Sequence, residues 1–87
     1  MMNRYFRLIE IDEYEIVRTI EEFDTFEEAK KRLDNEVDKC ISSFNMDIRS
    51  NVLKEYYRDS EYYSCTISYM REYPPHFKKK EYIVTVL

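Results

Sequence analysis

Glycine is missing from all 87 residues, tryptophan is missing as well, and alanine and proline are represented only by Ala29, Pro74 and Pro75. Phosphate-cradling loops, nucleophile elbows and calcium loops need glycine for positive φ or for close backbone approach to a ligand, so these scaffolds are excluded. Histidine and cysteine are almost as scarce. The one histidine, His76, falls in an expected surface loop, and the sequence places no carboxylate or nucleophile beside it for acid–base work. Cys40 and Cys65 form no Cys-x-x-Cys pair and have no histidine nearby, which excludes a zinc knuckle. Both fall on apolar faces, where burial raises a thiol's pKa and makes it inert; they read as reduced, buried thiols, with a single disulfide as the alternative. Glu10, Asp12, Glu13 and Glu15 crowd one turn without the spacing or glycine of an EF-hand, so a solvated turn explains them better than a metal. No catalytic residue, cofactor or metal ligand is assigned, and the chain reads as non-enzymatic.

Residues 1–87 fit a single domain, and a chain of this length buries only about 60% of its unfolded surface. No apolar run approaches the roughly 18 residues of a membrane span. The first residues lack the apolar stretch and small-residue cleavage site of a signal peptide, so the expected location is cytoplasmic and no membrane contact is expected. Abundant Lys, Asn, Ile, Tyr and Glu with little Gly, Ala or Pro suggest an AT-rich coding genome, such as that of a low-GC bacterium or its phage.

Asn3 to Ile11 reads as a strand with Tyr5, Ile9 and Ile11 on one face and Phe6 and Leu8 on the other. Tyr14 to Phe23 reads as a second, joined to it through Asp12-Glu13 by a type I turn or longer loop, since a type I′ turn wants glycine. That pairing sets Ile9 opposite Ile16 and Arg7 opposite Arg18. Thr25 and Glu28 make a capping box, and Phe26, Ala29, Leu33, Val37, Cys40, Ile41 and Phe44 then fall on one helical face. Glu27 with Lys31 and Glu28 with Arg32 are i,i+4 pairs on the exposed side. Ile48, Val52, Leu53, Tyr56 and Tyr57 suggest a short second helix capped by Asn45 or Asp47. Glu61 to Glu72 alternates, with Tyr63, Cys65, Ile67 and Tyr69 on one face and Tyr62, Ser64, Thr66 and Ser68 on the other. Pro74-Pro75 ends that strand, residues 76–80 read as a basic loop, and Glu81 to Leu87 as a final strand. The expected fold is α+β: a two-layer sandwich of order β-β-α-(α)-β-β, a four-stranded, mainly antiparallel sheet with one long and one short helix on one face.

Two features could touch a partner. From Glu10 to Glu28 there are nine carboxylates and one cation, Arg18, a local net of −8 that leaves +4 for the remaining 68 residues. Glu15 and Glu21 are expected on one face of the second strand, as part of an acidic edge about 25 Å long. Nine tyrosines make up the second feature. The neighbours Tyr56-Tyr57 and Tyr62-Tyr63 cannot all point inward, and exposed tyrosine offers large contact area with few rotatable bonds.

The candidate partner-binding residues are therefore Glu10, Asp12, Glu13, Glu15, Glu21, Glu22, Asp24, Tyr57 and Tyr62. The edge either solvates the fold and discourages edge pairing, or docks a protein with a basic surface by imitating a phosphate backbone. In composition alone the chain resembles the small inhibitors that phages and mobile elements make against host machinery, anti-CRISPR proteins among them. That resemblance implies a host nucleic-acid-binding complex as the partner. Two alternatives stand beside it. One is single-strand nucleic-acid binding through the tyrosines and the basic segment 76–80, which pI near 5 disfavours. The other is an orphan bacterial domain that homodimerises.

Overall fold

A computed structural model describes residues 5–43, 52–72 and 75–87, with side chains outside 69–77. It is a small α+β domain in which one helix packs on a five-stranded antiparallel sheet. The elements are β1 (Phe6–Ile11), β2 (Val17–Phe23), α1 (Phe26–Ser42), β3 (Val52–Asp59), β4 (Tyr62–Glu72) and β5 (Pro75–Val86). The strand order is β2-β1-β5-β4-β3. The helix carries the chain from the β1–β2 hairpin to the β3–β4–β5 meander, and β5 closes the sheet by pairing with β1. A last backbone bond, Leu87 N–H to Tyr5 C=O at 2.9 Å, extends that pairing.

The helix starts where its chemistry requires. Thr25 is extended (φ −126°, ψ 151°) and its hydroxyl accepts the Glu28 N–H at 3.2 Å, satisfying one of the first-turn donors, while Glu27 and Glu28 sit at the positive end of the helix dipole. Ala29, Leu33 and Val37 are fully buried, and Phe26, Cys40 and Ile41 pack at the margin; Phe44 lies outside the described residues. The exposed side differs in detail from the i,i+4 expectation. Lys30 pairs with Glu27 at 3.0 Å and lies 5.0 Å above the Phe26 ring, and Arg32 turns to Glu36 at 2.9 Å and Glu21 at 2.7 Å instead of Glu28.

Under the helix, Phe6 and Leu8 of β1, Cys65 and Ile67 of β4, and Tyr82 and Val84 of β5 complete the core. The even-numbered residues of β1 therefore face inward. Ile9 and Ile11 lie on the sheet's other face, where Ile9 opposes Ile83 of β5. Apolar residues occupy both faces of β1, and only helix docking decides which is the core.

The β1–β2 register also departs from expectation. Ile9 opposes Thr19 and Arg7 opposes Glu22, with a bulge near Ile20. The cause is the loop. Asp12 N–H bonds Ile16 C=O at 3.3 Å and Glu15 N–H bonds Asp12 C=O at 3.0 Å, leaving Glu13-Tyr14-Glu15 as a three-residue hairpin loop whose last residue takes φ 62°. The longer loop slides the register, and the like-charge Arg7–Arg18 opposition gives way to Arg7–Glu22 and Glu10–Arg18 ion pairs at 3.1 and 3.2 Å.

Two further expectations are corrected. The second helix is a strand, β3; of its supposed residues Asn45, Asp47 and Ile48 lie outside the described residues. Tyr56 and Tyr57 face opposite ways, Tyr56 stacking on Tyr63 with centroids 6.0 Å apart and Tyr57 meeting Tyr62 edge-on at 5.6 Å. These diagonal cross-strand aromatic pairs stabilise a hairpin and have no counterpart in a helix. Residues 76–80, expected as a loop, lie within β5 and pair with β4, Lys80 opposite Ile67 and Lys79 opposite Ser68. Lysine is tolerated there because consecutive residues alternate between the two faces. With β3 added, the sheet has five strands instead of four and carries one described helix instead of two. No helix among the described residues is long and apolar enough to cross a membrane.

Candidate interaction surfaces

β2 is one edge of the sheet, with the Glu13–Glu15 loop at one end and the Asp24-Thr25 junction at the other. The nine acidic residues between Glu10 and Glu28 do not form one continuous row along it. Glu10, half-buried, is held by Arg18 at 3.2 Å and Lys80 at 3.8 Å. Glu22 pairs with Arg7 across the strand, and Glu21 meets Arg32 of α1. Glu21 and Glu22 thus point to opposite faces, and Glu15 precedes the strand, so Glu15 and Glu21 do not share a strand face as expected. Asp12 works inside the loop: its carboxylate accepts the Tyr14 N–H at 2.9 Å and the Ile16 N–H at 3.1 Å. Among the described residues Glu13 and Glu15 at one end of β2, and Asp24 and Glu28 at the other, have no ion-pair partner within 4 Å.

Lys80 meets the acidic segment because β5 runs beside β1. Lys78, Lys79 and Lys80 and Glu10, Asp12 and Glu13 all line one cleft of about 440 Å³ beside the helix C-terminus. The two charge runs, some 65 residues apart in sequence, face each other in space. Cys40 and Tyr82 also line it. Burial pushes the Cys40 thiol up, an effect that Lys80 and Tyr82 only partly offset, so the thiol stays protonated and a weak nucleophile. Burial, and after it Cys40 and Glu10, push the Tyr82 hydroxyl well above the usual tyrosine range. Cys65 is buried and likewise shifted up by desolvation, and both cysteines are free thiols. No group of three or more potential metal ligands occurs among the described residues. The side chain of His76 lies outside the described set.

Tyr57 and Tyr62 lie at the opposite side of the sheet from β2, on the face away from the helix. Tyr57 is 60% exposed and Leu53, four residues earlier on the same face, is 54% exposed. The structure therefore separates the acidic and tyrosine halves of the candidate site by the width of the sheet. Between them the open face carries Ile9, Ile83, Thr66 and the buried Ser64. Tyr63, by contrast, belongs to the helix side, where its hydroxyl donates to Asp34 at 2.8 Å.

The exposed edge strand β3 was missed by sequence reasoning. The signal that could mark it is the Tyr-Tyr doublet on each side of Asp59-Ser60-Glu61, which the two-residue Ser60-Glu61 loop brings into diagonal contact across the strands. Compared with known proteins, the chain matches no family model, no curated protein sequence and no solved structure.

Proposed function

We propose that the chain is a non-enzymatic interaction domain that docks a basic protein surface through the two ends of its β2 edge. The observation that supports this reading is the set of carboxylates formed by half-buried Glu13 and exposed Glu15, Asp24 and Glu28, which have no ion-pair partner among the described residues, whereas Glu10, Glu21 and Glu22 are tied into ion pairs. Unpaired surface carboxylates raise the encounter rate with a cationic partner, and their effect is screened by salt. A nucleic-acid-binding complex of a host, inhibited by occupation of its basic groove, is the partner class this chemistry fits. The single-strand-binding alternative draws less support, because Lys78 and Lys80 share one face while Lys79 points to the other and Lys80 is engaged by Glu10.

The test is retention of partners from a bacterial lysate on the immobilised chain, comparing wild type with Glu13→Lys/Glu15→Lys/Asp24→Lys at low and high salt. Wild type should retain a partner that the triple variant and high salt both release, and nucleic acid should compete for it. Retention indifferent to both charge reversal and salt refutes the reading.

A further inference from the structure

The two sheet edges are unlike each other. β2 carries a bulge, and its charged side chains are paired across to β1 and α1. Bulges and inward-held charges protect an edge from pairing. β3 has no bulge and no ion pair of this kind among the described residues, and its charges are Lys54 and Arg58 on one face and Glu55 and Asp59 on the other. It runs eight residues in register with β4, from Val52 opposite Tyr69 to Asp59 opposite Tyr62, with no proline or register shift, and every residue after Val52 is exposed. Leu53, Tyr56 and Tyr57 are 54%, 49% and 60% exposed. A sheet edge without a register shift, paired on one side only among the described residues and carrying apolar side chains on both faces, is a template for another strand.

We infer that the occupant is a second copy of the chain, with the two β3 strands pairing antiparallel about a two-fold axis at Glu55. An axis normal to the sheet opposes residues of the same face, so the strand must pair about one of its own residues. Centring on Tyr56 opposes Lys54 to Arg58 and Leu53 to Asp59; centring on Tyr57 opposes Glu55 to Asp59; centring on Lys54 opposes the two lysines. Centring on Glu55 sets Leu53 against Tyr57 of the second copy and Lys54 against the ring of Tyr56, each contact occurring twice. Only the two Glu55 carboxylates then repel. The pairing doubles the five-stranded sheet, keeps both helices on one side, and leaves both β2 edges free, so it goes beyond the docking proposed above and can fail independently of it.

The experiment is sedimentation velocity of the full chain across a concentration series. Wild type should dimerise reversibly. Leu53→Glu and Tyr57→Lys, each removing both symmetric contacts at exposed positions, should each weaken dimerisation about tenfold or more. The two substitutions combined should restore it, because opposite charges then face each other across the axis. Glu55→Gln should tighten the dimer about threefold, a gain that misfolding cannot mimic. A wild type that stays monomeric throughout overturns the proposal. So does a dimer indifferent to these substitutions, or a double variant that is not rescued.

Discussion

Glu15 is the only residue among the described ones with positive φ, at 62°, and the chain has no glycine to place there. A left-handed backbone costs a residue with a Cβ about 1–2 kcal/mol, whereas glycine adopts it freely. Against that gain, glycine adds unfolded-state entropy worth roughly 0.5–1 kcal/mol. Glu15→Gly should therefore stabilise the domain by about 0–1 kcal/mol, and Glu15→Ala, which removes the same carboxylate but keeps the strain, should not. The difference between these two variants isolates the backbone term from the charge. In urea unfolding, with an m-value of about 1 kcal/mol/M for a protein this small, glycine should lead alanine by up to about 1 M in midpoint. In a thermal scan the same difference is roughly 4–8 °C per kcal/mol. Equal midpoints for the two variants would show that the loop relaxes at no cost, and the strain argument would be wrong.

Leu33 is fully buried at the centre of the helix–sheet interface, so Leu33→Ala should cost about 3–5 kcal/mol, a large share of the stability expected of such a domain, and calorimetry should show a lowered or absent transition. Tyr56 is pushed up to about 12, first by burial and then by Cys65, and burial also raises Tyr63 and Tyr82. A phenol whose folded pKa lies above its unfolded value of about 10 contributes stability that is intact below pH 10 and is lost as pH rises beyond it. Titration of tyrosinate absorbance should thus show a late class, Tyr56, Tyr63 and Tyr82, whose ionisation coincides with unfolding. A single ionisation with no loss of structure is the contrary result.

The helix and β4 were legible in the sequence because their cues are local and agree: Thr25 and Glu28 cap a run whose period places Ala29, Leu33 and Val37 on one line, and Tyr63, Cys65 and Ile67 alternate with Ser64 and Thr66. β1 was legible as a strand but not as to its buried face, since Phe6 and Leu8 compete with Ile9 and Ile11 and only the helix arbitrates. β3 was misread because Val52, Leu53, Tyr56 and Tyr57 suit one side of a helix as well as both sides of a strand. Lys78-Lys79-Lys80 suggested a loop because charge runs are usually solvated, yet a strand that alternates faces solvates them equally well and lets Lys80 reach Glu10. The acidic segment was legible in composition, but its division into paired and unpaired carboxylates depends on Arg7 and Arg32, which the sequence does not place beside it.

That division changes what a partner could recognise. The pairs Arg7–Glu22 and Arg32–Glu21 join solvent-exposed side chains and add little to stability; their larger effect is to cancel charge along the later half of β2, and Arg7–Glu22 also supports the strand register. Carboxylates free to attract a partner remain at the two ends of a seven-residue strand, separated by roughly 24 Å at about 3.4 Å per residue. That separation exceeds the screening length of about 8 Å at physiological ionic strength, so the two ends act as nearly independent contacts. A protein that grips both must present two basic sites at that spacing, and reversing charge at Glu13 and Glu15 alone should leave the contribution of Asp24 and Glu28 intact. A continuous acidic stripe, in contrast, would lose affinity steeply wherever it was cut.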